Sequence, residues 1–171
     1  METAIISLVC IALVVFGGMT MSQGFITSVD SSANGLEEIG QRDEEILRTE
    51  LTPVEAVLTS PDTLELIIEN TGQTKLSDYA SWDVIVQYYD ETWTYHVKWL
   101  PFISGSPAGN EWDVDWIHLN EKPEFYENGV FNPGERMKLV IKLDPAVGPG
   151  STNLVVVSTP SGVTASMYFL F

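Results

Sequence analysis

Two histidines are the residues of this sequence best suited to carry a proton or bind a transition metal. His96 and His118 both fall in segments with a strand-like pattern, and they lie far apart in the chain. No zinc spacing, phosphate loop or nucleophile motif accompanies them. The only cysteine, Cys10, lies in an apolar segment. We therefore interpret both histidines as ordinary strand residues and predict that the protein is not an enzyme and binds no cofactor.

A short run of carboxylates offers a second kind of chemistry. Glu111, Asp113 and Asp115 alternate along one predicted strand, where their oxygens would suit calcium. The run lacks the glycine and the carboxylate spacing of an EF-hand loop. We predict no bound metal, with calcium at this strand as the alternative.

Aromatic side chains are concentrated in the middle of the sequence, which contains all five tryptophans. They are too many for one small interior, so we expect some at the surface, where tryptophan and tyrosine favour protein interfaces. A carbohydrate-binding platform would use the same residue types and stays an alternative. The candidate interface residues are Trp82, Tyr88, Trp93, Tyr95, Trp99, Trp112 and Trp116.

The segments that carry these residues have the pattern of β-strands. Short runs rich in β-branched and aromatic residues, separated by turns, predict an all-β, immunoglobulin-like antiparallel sandwich of about eight strands without a disulfide. Trp82–Tyr89 and Thr92–Trp99 are predicted to form a hairpin around the turn Asp90-Glu91. The other predicted strands are 55–58, 64–69, 114–119, 136–143, 153–158 and 164–171.

The N-terminal segment is long and apolar. No residue from Thr3 to Val29 is charged, and about 20 apolar residues suffice for a helix to cross a membrane. The sequence has no basic start like that of a cleavable signal, so we predict a retained transmembrane helix over residues 1–29. Gly17, Gly18 and Ser22 are candidates for packing against a neighbouring helix, with a loosened helix end as the alternative.

A polar segment, 30–35, separates this helix from a second helical pattern. We expect a helical stalk over residues 30–52, ended by Pro53, and the sandwich over 53–171. The acidic flank after residue 29 favours a domain outside the membrane.

The charge of the chain is strongly negative. With 24 acidic and 8 basic residues, its net charge is −16. Such a charge argues against nucleic acid and anionic membrane surfaces as partners. It is also typical of adaptation to high salt, so it does not by itself indicate a function.

Four segments resemble the archaellum accessory proteins called flagellar protein F and flagellar protein G, within the archaellin and type IV pilin-like superfamily. The segments are residues 2–5, 42–50, 64–72 and 155–166. The resemblance implies a membrane-anchored sandwich outside the cytoplasmic membrane, in the pseudoperiplasm or at the cell surface, that acts as a stator of the rotary filament in motility. It implies the S-layer protein as a partner, with a sister accessory protein or a second copy of the chain, and it implies no catalytic residue.

Two other functions stay open at this stage. An archaellin or pilin-like filament subunit would also combine an apolar helix with a β-domain. The absence of a basic leader, the abundance of tryptophan and the charged stalk weigh against it. A membrane-tethered carbohydrate-binding domain rests on the aromatic residues alone.

Overall fold

The computed structural model describes residues 2–119, 122–123 and 127–171. They form two compact units, one that ends at Asp43 and one that begins at Glu44. The first unit is helical, and the second contains the last turn of the same helix followed by the β-strands. The candidate functional residues of the β-domain all lie in the second unit.

One unbroken helix, α1 (Glu2–Arg48), comprises 47 residues. The break expected at residues 30–35 is absent, and the helical pattern expected over residues 30–52 continues α1 as far as Arg48. The Thr27 Oγ1 and Ser32 Oγ hydroxyls donate to the carbonyls of Gln23 and Ser28, four residues earlier. Because these hydroxyls bond back onto the helix, the polar residues do not interrupt it. By length and composition, α1 is able to cross a membrane.

The helix ends at Arg48, ahead of Pro53, and the chain enters a strand at Leu51. A turn of the β-domain caps this end: the Gln73 N–H donates to the Arg48 carbonyl at 2.7 Å, and the Gly72 N–H donates to the Glu50 carbonyl at 3.1 Å. The first bond satisfies a carbonyl that the helix end leaves without a partner, and the second fixes the segment that follows the helix. Proline therefore lies inside the first strand and does not end the helix.

The β-domain is a sandwich of two antiparallel sheets. Within the described residues the strands are β1 Leu51–Ser60, β2 Thr63–Asn70, β3 Asp83–Tyr89, β4 Tyr95–Leu100, β5 Glu111–Leu119, β6 Lys122–Pro123, β7 Arg136–Lys142, β8 Thr152–Ser158 and β9 Thr164–Leu170. They form a first sheet of five strands in the order β1-β2-β7-β5-β6 and a second sheet of four in the order β4-β3-β8-β9. The predicted class, an N-terminal apolar helix followed by an antiparallel sandwich, is confirmed.

The core lies between the two sheets and is made by alternate residues of each strand. In β3, Val84, Val86 and Tyr88 are fully buried, while the residues between them face outward. The same alternation in β2, β7 and β8 gives two apolar inner faces. Their burial is the main source of stability, because hydrophobic burial contributes about 25 cal/mol per Å².

The turn between β1 and β2 is organised by one carboxylate. Asp62 accepts hydrogen bonds from Ser60 Oγ at 2.6 Å and Thr63 Oγ1 at 2.9 Å, and it pairs with Lys142 Nζ at 3.2 Å. These hydrogen bonds, that of Ser60 first, lower the pKa of Asp62 to about 2. The turn is thus acid-sensitive.

We expect Asp62→Asn to reduce acid sensitivity. The folded pKa of about 2 lies below the unfolded value of about 3.9. The stability that Asp62 contributes is therefore present above pH 4 and is lost as the pH falls toward 2. Wild type should be more stable than the variant at pH 6, and the difference should close between about pH 4 and pH 2. Thermal melting across this range measures it, and Glu91→Gln, which removes one charge at an exposed loop, is the control.

Candidate interaction surface

Three of the seven predicted interface residues lie in the core. Trp82, Tyr88 and Trp112 are buried, so they cannot contact a partner, and their prediction as interface residues is wrong. The Tyr88 hydroxyl donates to the Pro145 carbonyl at 2.9 Å. Burial, with Asp144 and Asp90 nearby, raises the pKa of Tyr88 to about 12. These rings hold the sandwich together.

Three other predicted residues are exposed together on the second sheet. Trp93 is 65% exposed, Tyr95 51% and Trp99 58%. Tyr95 and Trp99 alternate along β4 and point away from the core, and Trp93 lies in the loop before it. Tyr89 of β3 joins them, with ring centroids 5.2 Å from Tyr95 and 6.2 Å from Trp93. Tyr89, Trp93 and Tyr95 therefore form one cluster of rings, and Trp99 lies on the same face further along β4.

The pairing of the strands extends this cluster across the whole second sheet. Val97 of β4 is opposite Gln87, which is opposite Leu154, which is opposite Tyr168. Paired residues of adjacent strands share a face. We call this outer surface the aromatic sheet face; with Trp93 at its edge, its largest side chains are Ile85, Tyr89, Tyr95, Val97, Trp99, Leu154, Val156, Tyr168 and Leu170.

The aromatic sheet face is almost free of charge. Asp83 is the one charged residue among its positions in these four fully described strands, and it accepts a hydrogen bond from Trp99 Nε1 at 2.7 Å. The outer face of an antiparallel sheet is normally polar, because it meets water. In a protein of net charge −16, an apolar outer face is therefore a candidate interaction surface.

The outer face of the first sheet has the opposite character. Arg136 pairs with Glu69 at 2.9 Å, and Lys138 pairs with Asp115 at 2.5 Å and with Glu65 at 3.5 Å. Each of these pairs joins neighbouring strands at the surface, as is usual for a sheet in contact with water. The two outer faces of the sandwich thus differ in kind: one is charged and paired, and the other is apolar.

The polar atoms of two of the exposed rings have partners within the sheet. The Tyr95 hydroxyl donates to Gln87 Oε1 at 2.9 Å, and Trp99 Nε1 donates to Asp83. These bonds fix the rings in place, and they leave the ring faces without any need for a polar partner. The surface is therefore preorganised for apolar contact, which lowers the entropic cost of binding.

The loop between β3 and β4 holds Trp93 beside this face. The predicted two-residue turn at Asp90-Glu91 is in fact a loop over residues 90–94, and the predicted strand start at Thr92 moves to Tyr95. Asp90 accepts hydrogen bonds from Thr92 N at 2.8 Å and from His96 Nε2 at 2.9 Å. The bond from His96, followed by that from Thr92, holds the pKa of Asp90 well below its usual range. His96 thus orients the loop.

The remaining predicted residue, Trp116, lies on the first sheet. Its ring stacks on His118 with a centroid distance of 4.2 Å, and Lys138 Nζ lies 6.0 Å from the ring centre. It borders a cavity of about 300 Å³ with Arg136 and Glu55. Trp116 is therefore on the charged outer face and is separate from the aromatic sheet face.

The three alternating carboxylates are engaged within the fold. Glu111 Oε2 accepts from the Ala108 N–H at 2.7 Å, Asp113 Oδ2 accepts from the Gly105 N–H at 3.0 Å, and Asp115 pairs with Lys138. No cluster of three potential metal ligands is found among the residues that the structure describes. Two of the carboxylates fix the loop before β5, and the third joins neighbouring strands.

The helical candidates Gly17, Gly18 and Ser22 lie in the exposed apolar part of α1. A Cβ at Gly17 or Gly18 would meet no atom of the described chain within 4 Å. Room for a neighbouring helix is therefore present at these positions, and their role in helix packing stays a prediction.

Residue pattern alone did not reveal the part of the surface contributed by β8 and β9. Tyr168, 70% exposed, and Leu170 face outward from β9, and Leu154 and Val156 from β8. The sequence did contain one signal for an apolar outer face on β8. The continuous apolar run 154–157 is typical of a strand that is buried on both faces.

The family of the chain is established by its sequence. It matches the archaeal-type flagellin family over residues 1–169, and the chain belongs to that family. A comparison with curated proteins gives no significant match. The protein is therefore an archaellum-associated protein, in agreement with the resemblance noted in its sequence.

Solved structures share its fold. A chain of the archaellum periplasmic stator protein complex FlaF and FlaG from Sulfolobus acidocaldarius is 22% identical, with a TM-score of 0.53, over 71% of this chain and 89% of that one. The stator protein FlaG from the same organism is 23% identical, with a TM-score of 0.50, over 71% and 99%. The archaeal flagellum of Methanospirillum hungatei is 13% identical, with a TM-score of 0.59, over 96% and 90%.

Proposed function

We propose that this protein is a membrane-anchored accessory protein of the archaellum that acts as a stator. In this function α1 lies in the cytoplasmic membrane, and the sandwich lies outside it and attaches the motor or filament to the S-layer protein. The observation that carries the proposal is the aromatic sheet face, because a preorganised apolar surface on an acidic domain suits a docking module. A sister accessory protein is a further proposed partner, as in the FlaF and FlaG complex.

The charge of the chain also favours a stator over a filament subunit. Subunits of a filament pack against copies of themselves on several sides, and each copy here carries a net charge of −16. Like charges at close contacts are unfavourable. A stator that meets its partners through a limited surface avoids most of this repulsion.

A filament subunit is the second candidate, and α1 is the observation that favours it. The helix is continuous over 47 residues and uncharged from Thr3 to Val29. A helix that is apolar on all sides requires an apolar environment on all sides, which neighbouring helices of a filament core would supply as well as lipid.

Cell fractionation distinguishes the two functions. Filaments are sheared from cells that produce the protein, and its copy number is measured by quantitative mass spectrometry in filaments and in membranes. A stator should remain in the membrane fraction, with only trace amounts in the filaments. If the chain were a major component of sheared filaments, the stator function would be wrong.

Attachment to the S-layer is tested with the full chain in lipid vesicles. The vesicles are sedimented with isolated S-layer sheets at the salt concentration of the native habitat, and vesicles without protein are the control. Co-sedimentation that depends on the protein is expected. Loss of the protein to the supernatant would contradict S-layer anchoring but would leave a membrane location intact.

A further inference from the structure

We infer that the cavity beside Trp116, on the outer face of the first sheet, binds one pyranose unit of a neutral sugar. The inference goes beyond the proposed function and does not depend on it, because a sugar site is compatible with either a stator or a filament subunit. It places sugar recognition on the sheet opposite to the aromatic sheet face.

The register of four strands forms this cavity. Glu55 of β1 is opposite Ile67 of β2. Ile67 is opposite Lys138 of β7, which is opposite Trp116 of β5. Since neighbouring strands are about 4.8 Å apart, β1 and β5 are separated by roughly 14 Å, with the half-buried Ile67 between them. The volume of about 300 Å³ suits one small ligand. The lining residues are Val54, Glu55, Ile67, Trp116, His118 and Arg136.

A β-bulge lies in each of the two strands that border the cavity. The register shifts between Pro53 and Glu55 in β1, and between Val114 and Trp116 in β5. A bulge changes the directions of nearby side chains, and bulges are frequent beside functional sites. Because both bulges directly precede residues that line the cavity, they help to set the directions of Glu55 and Trp116.

The polar groups that line the cavity have hydrogen-bonding capacity to spare. Arg136 donates from Nε to Glu69, and its two terminal nitrogens have no partner among the described residues. Within the same part of the chain, neither the Glu55 carboxylate nor the His118 ring forms a hydrogen bond. Arg136 thus offers donors, and Glu55 offers an acceptor. A sugar hydroxyl both donates and accepts, so hydroxyls of one ring are able to bond to both.

Trp116 supplies the apolar contact of the site. Its stack on His118, with a centroid distance of 4.2 Å, restricts the motion of both rings. The face of an aromatic ring carries partial negative charge and attracts polarised C–H groups. A pyranose presents such C–H groups on one side and hydroxyls around its rim. An aromatic ring next to convergent polar groups is therefore complementary to a sugar.

The charges around the cavity favour a neutral ligand. An anionic ligand would approach Glu55 on a chain of net charge −16. A cationic ligand would approach Arg136 and Lys138, which lie on one strand. A neutral sugar avoids both repulsions and still bonds to charged groups, which form stronger hydrogen bonds than neutral ones.

Binding of methyl glycosides to the full chain tests the site. The methyl glycosides of glucose, mannose and galactose are titrated against the protein in a detergent without a sugar headgroup, and ligand-observed NMR measures binding. At least one of the three should bind with a millimolar Kd, as expected for a small ligand with few contacts. Absence of binding by all three would overturn the inference.

Two variants locate the sugar. Trp116→Ala should weaken binding about tenfold, because the ring contact is lost. Trp93→Ala removes an exposed ring from the other sheet and should have no effect. Glu55→Ala should also weaken binding about tenfold, because a charge-assisted hydrogen bond is lost. Glu91→Ala is its control.

The outcome for Glu55→Ala is informative even where loss of Trp116 disturbs folding, because Glu55 is exposed and its carboxylate has no partner within the described residues. Equal binding by wild type and Glu55→Ala would overturn the inference. Binding that is lost in Trp93→Ala and kept in Trp116→Ala would place the sugar on the aromatic sheet face and would equally overturn it.

Charged analogues test the preference for a neutral ligand. Methyl glucuronide carries a carboxylate and glucosamine carries an ammonium group, and both retain the pyranose ring. Each should bind more weakly than the best neutral glycoside, because each meets a like charge at the cavity. Stronger binding of either analogue would overturn the assignment of a neutral sugar.

Discussion

Gly72→Ala is expected to lower the free energy of unfolding by about 3 kcal/mol, because a new methyl group would collide with backbone on two sides. The added Cβ would lie 2.4 Å from the Glu50 nitrogen and 2.7 Å from the Arg48 carbonyl oxygen. Real Cβ atoms do not approach other atoms so closely. Neither neighbour can rotate away, since both belong to the main chain at the junction between α1 and β1.

The hydrogen bonds of this turn prevent an easy adjustment. The Thr71 N–H donates to the Glu50 carbonyl at 3.0 Å, and the buried Asn70 side chain donates from Nδ2 to the carbonyls of Thr74 and Phe131. A shift large enough to admit the methyl group would break several of these bonds. The loss of each bond would leave a backbone carbonyl without its partner.

Urea unfolding of the full chain in detergent, followed by near-ultraviolet circular dichroism, measures this effect. Gly40→Ala is the matched control, because a Cβ at that helical position meets nothing within 4 Å. It should be neutral or slightly stabilising, since alanine favours helix over glycine by about 1 kcal/mol. Equal stability of Gly72→Ala and wild type would contradict the described packing of the turn.

Removal of a buried tryptophan should have a comparable or larger effect. Trp82→Ala is expected to cost about 4 kcal/mol, because the ring is 1% exposed and a large cavity would remain. Its indole nitrogen also donates to the Ser77 carbonyl at 3.2 Å. Since a typical domain is stable by roughly 5–15 kcal/mol, this variant should be close to unfolding at moderate temperature.

Trp112 separates the contribution of the ring from that of the indole hydrogen bond. Its ring is as deeply buried, but its Nε1 has no acceptor within the described part of the chain. Trp112→Phe should therefore be less destabilising than Trp82→Phe by about 1 kcal/mol, because only the second loses a hydrogen bond. Urea midpoints of the two variants measure the difference. Trp93→Ala, which removes an exposed ring, should change stability little.

Local sequence patterns were sufficient to predict the strands, but they did not predict where α1 ends or that it is continuous through residues 30–35. The alternation of apolar residues in β2, β3 and β7 predicted strands that the structure contains. The helix end was misplaced, because Pro53 suggested a stop, whereas the stop is made by a turn more than twenty residues later in the chain. Hydroxyls that bond back to the helix likewise removed a break that the polar composition of residues 30–35 had suggested.

Which aromatic residues lie on the exposed face depends on pairings between strands that are distant in the chain. An exposed Trp99 and a buried Trp112 belong to similar aromatic stretches, and only the register of their strands separates them. Tyr168 joins Val97 on one face through two intermediate strands, a relation that spacing along the chain does not contain. The sequence therefore predicted that aromatic residues reach the surface, and the fold determines which ones.

The turn at Asn70–Gly72 also determines how the domain would carry a mechanical load. Because this turn holds the end of α1 and the start of β1, a pull transmitted through the helix reaches β1 before any other strand. The first hydrogen bonds that such a pull meets are those of this turn and those between β1 and β2. If the protein acts as the proposed stator, the point at which the chain enters the sandwich is therefore the first part of the domain to bear the load.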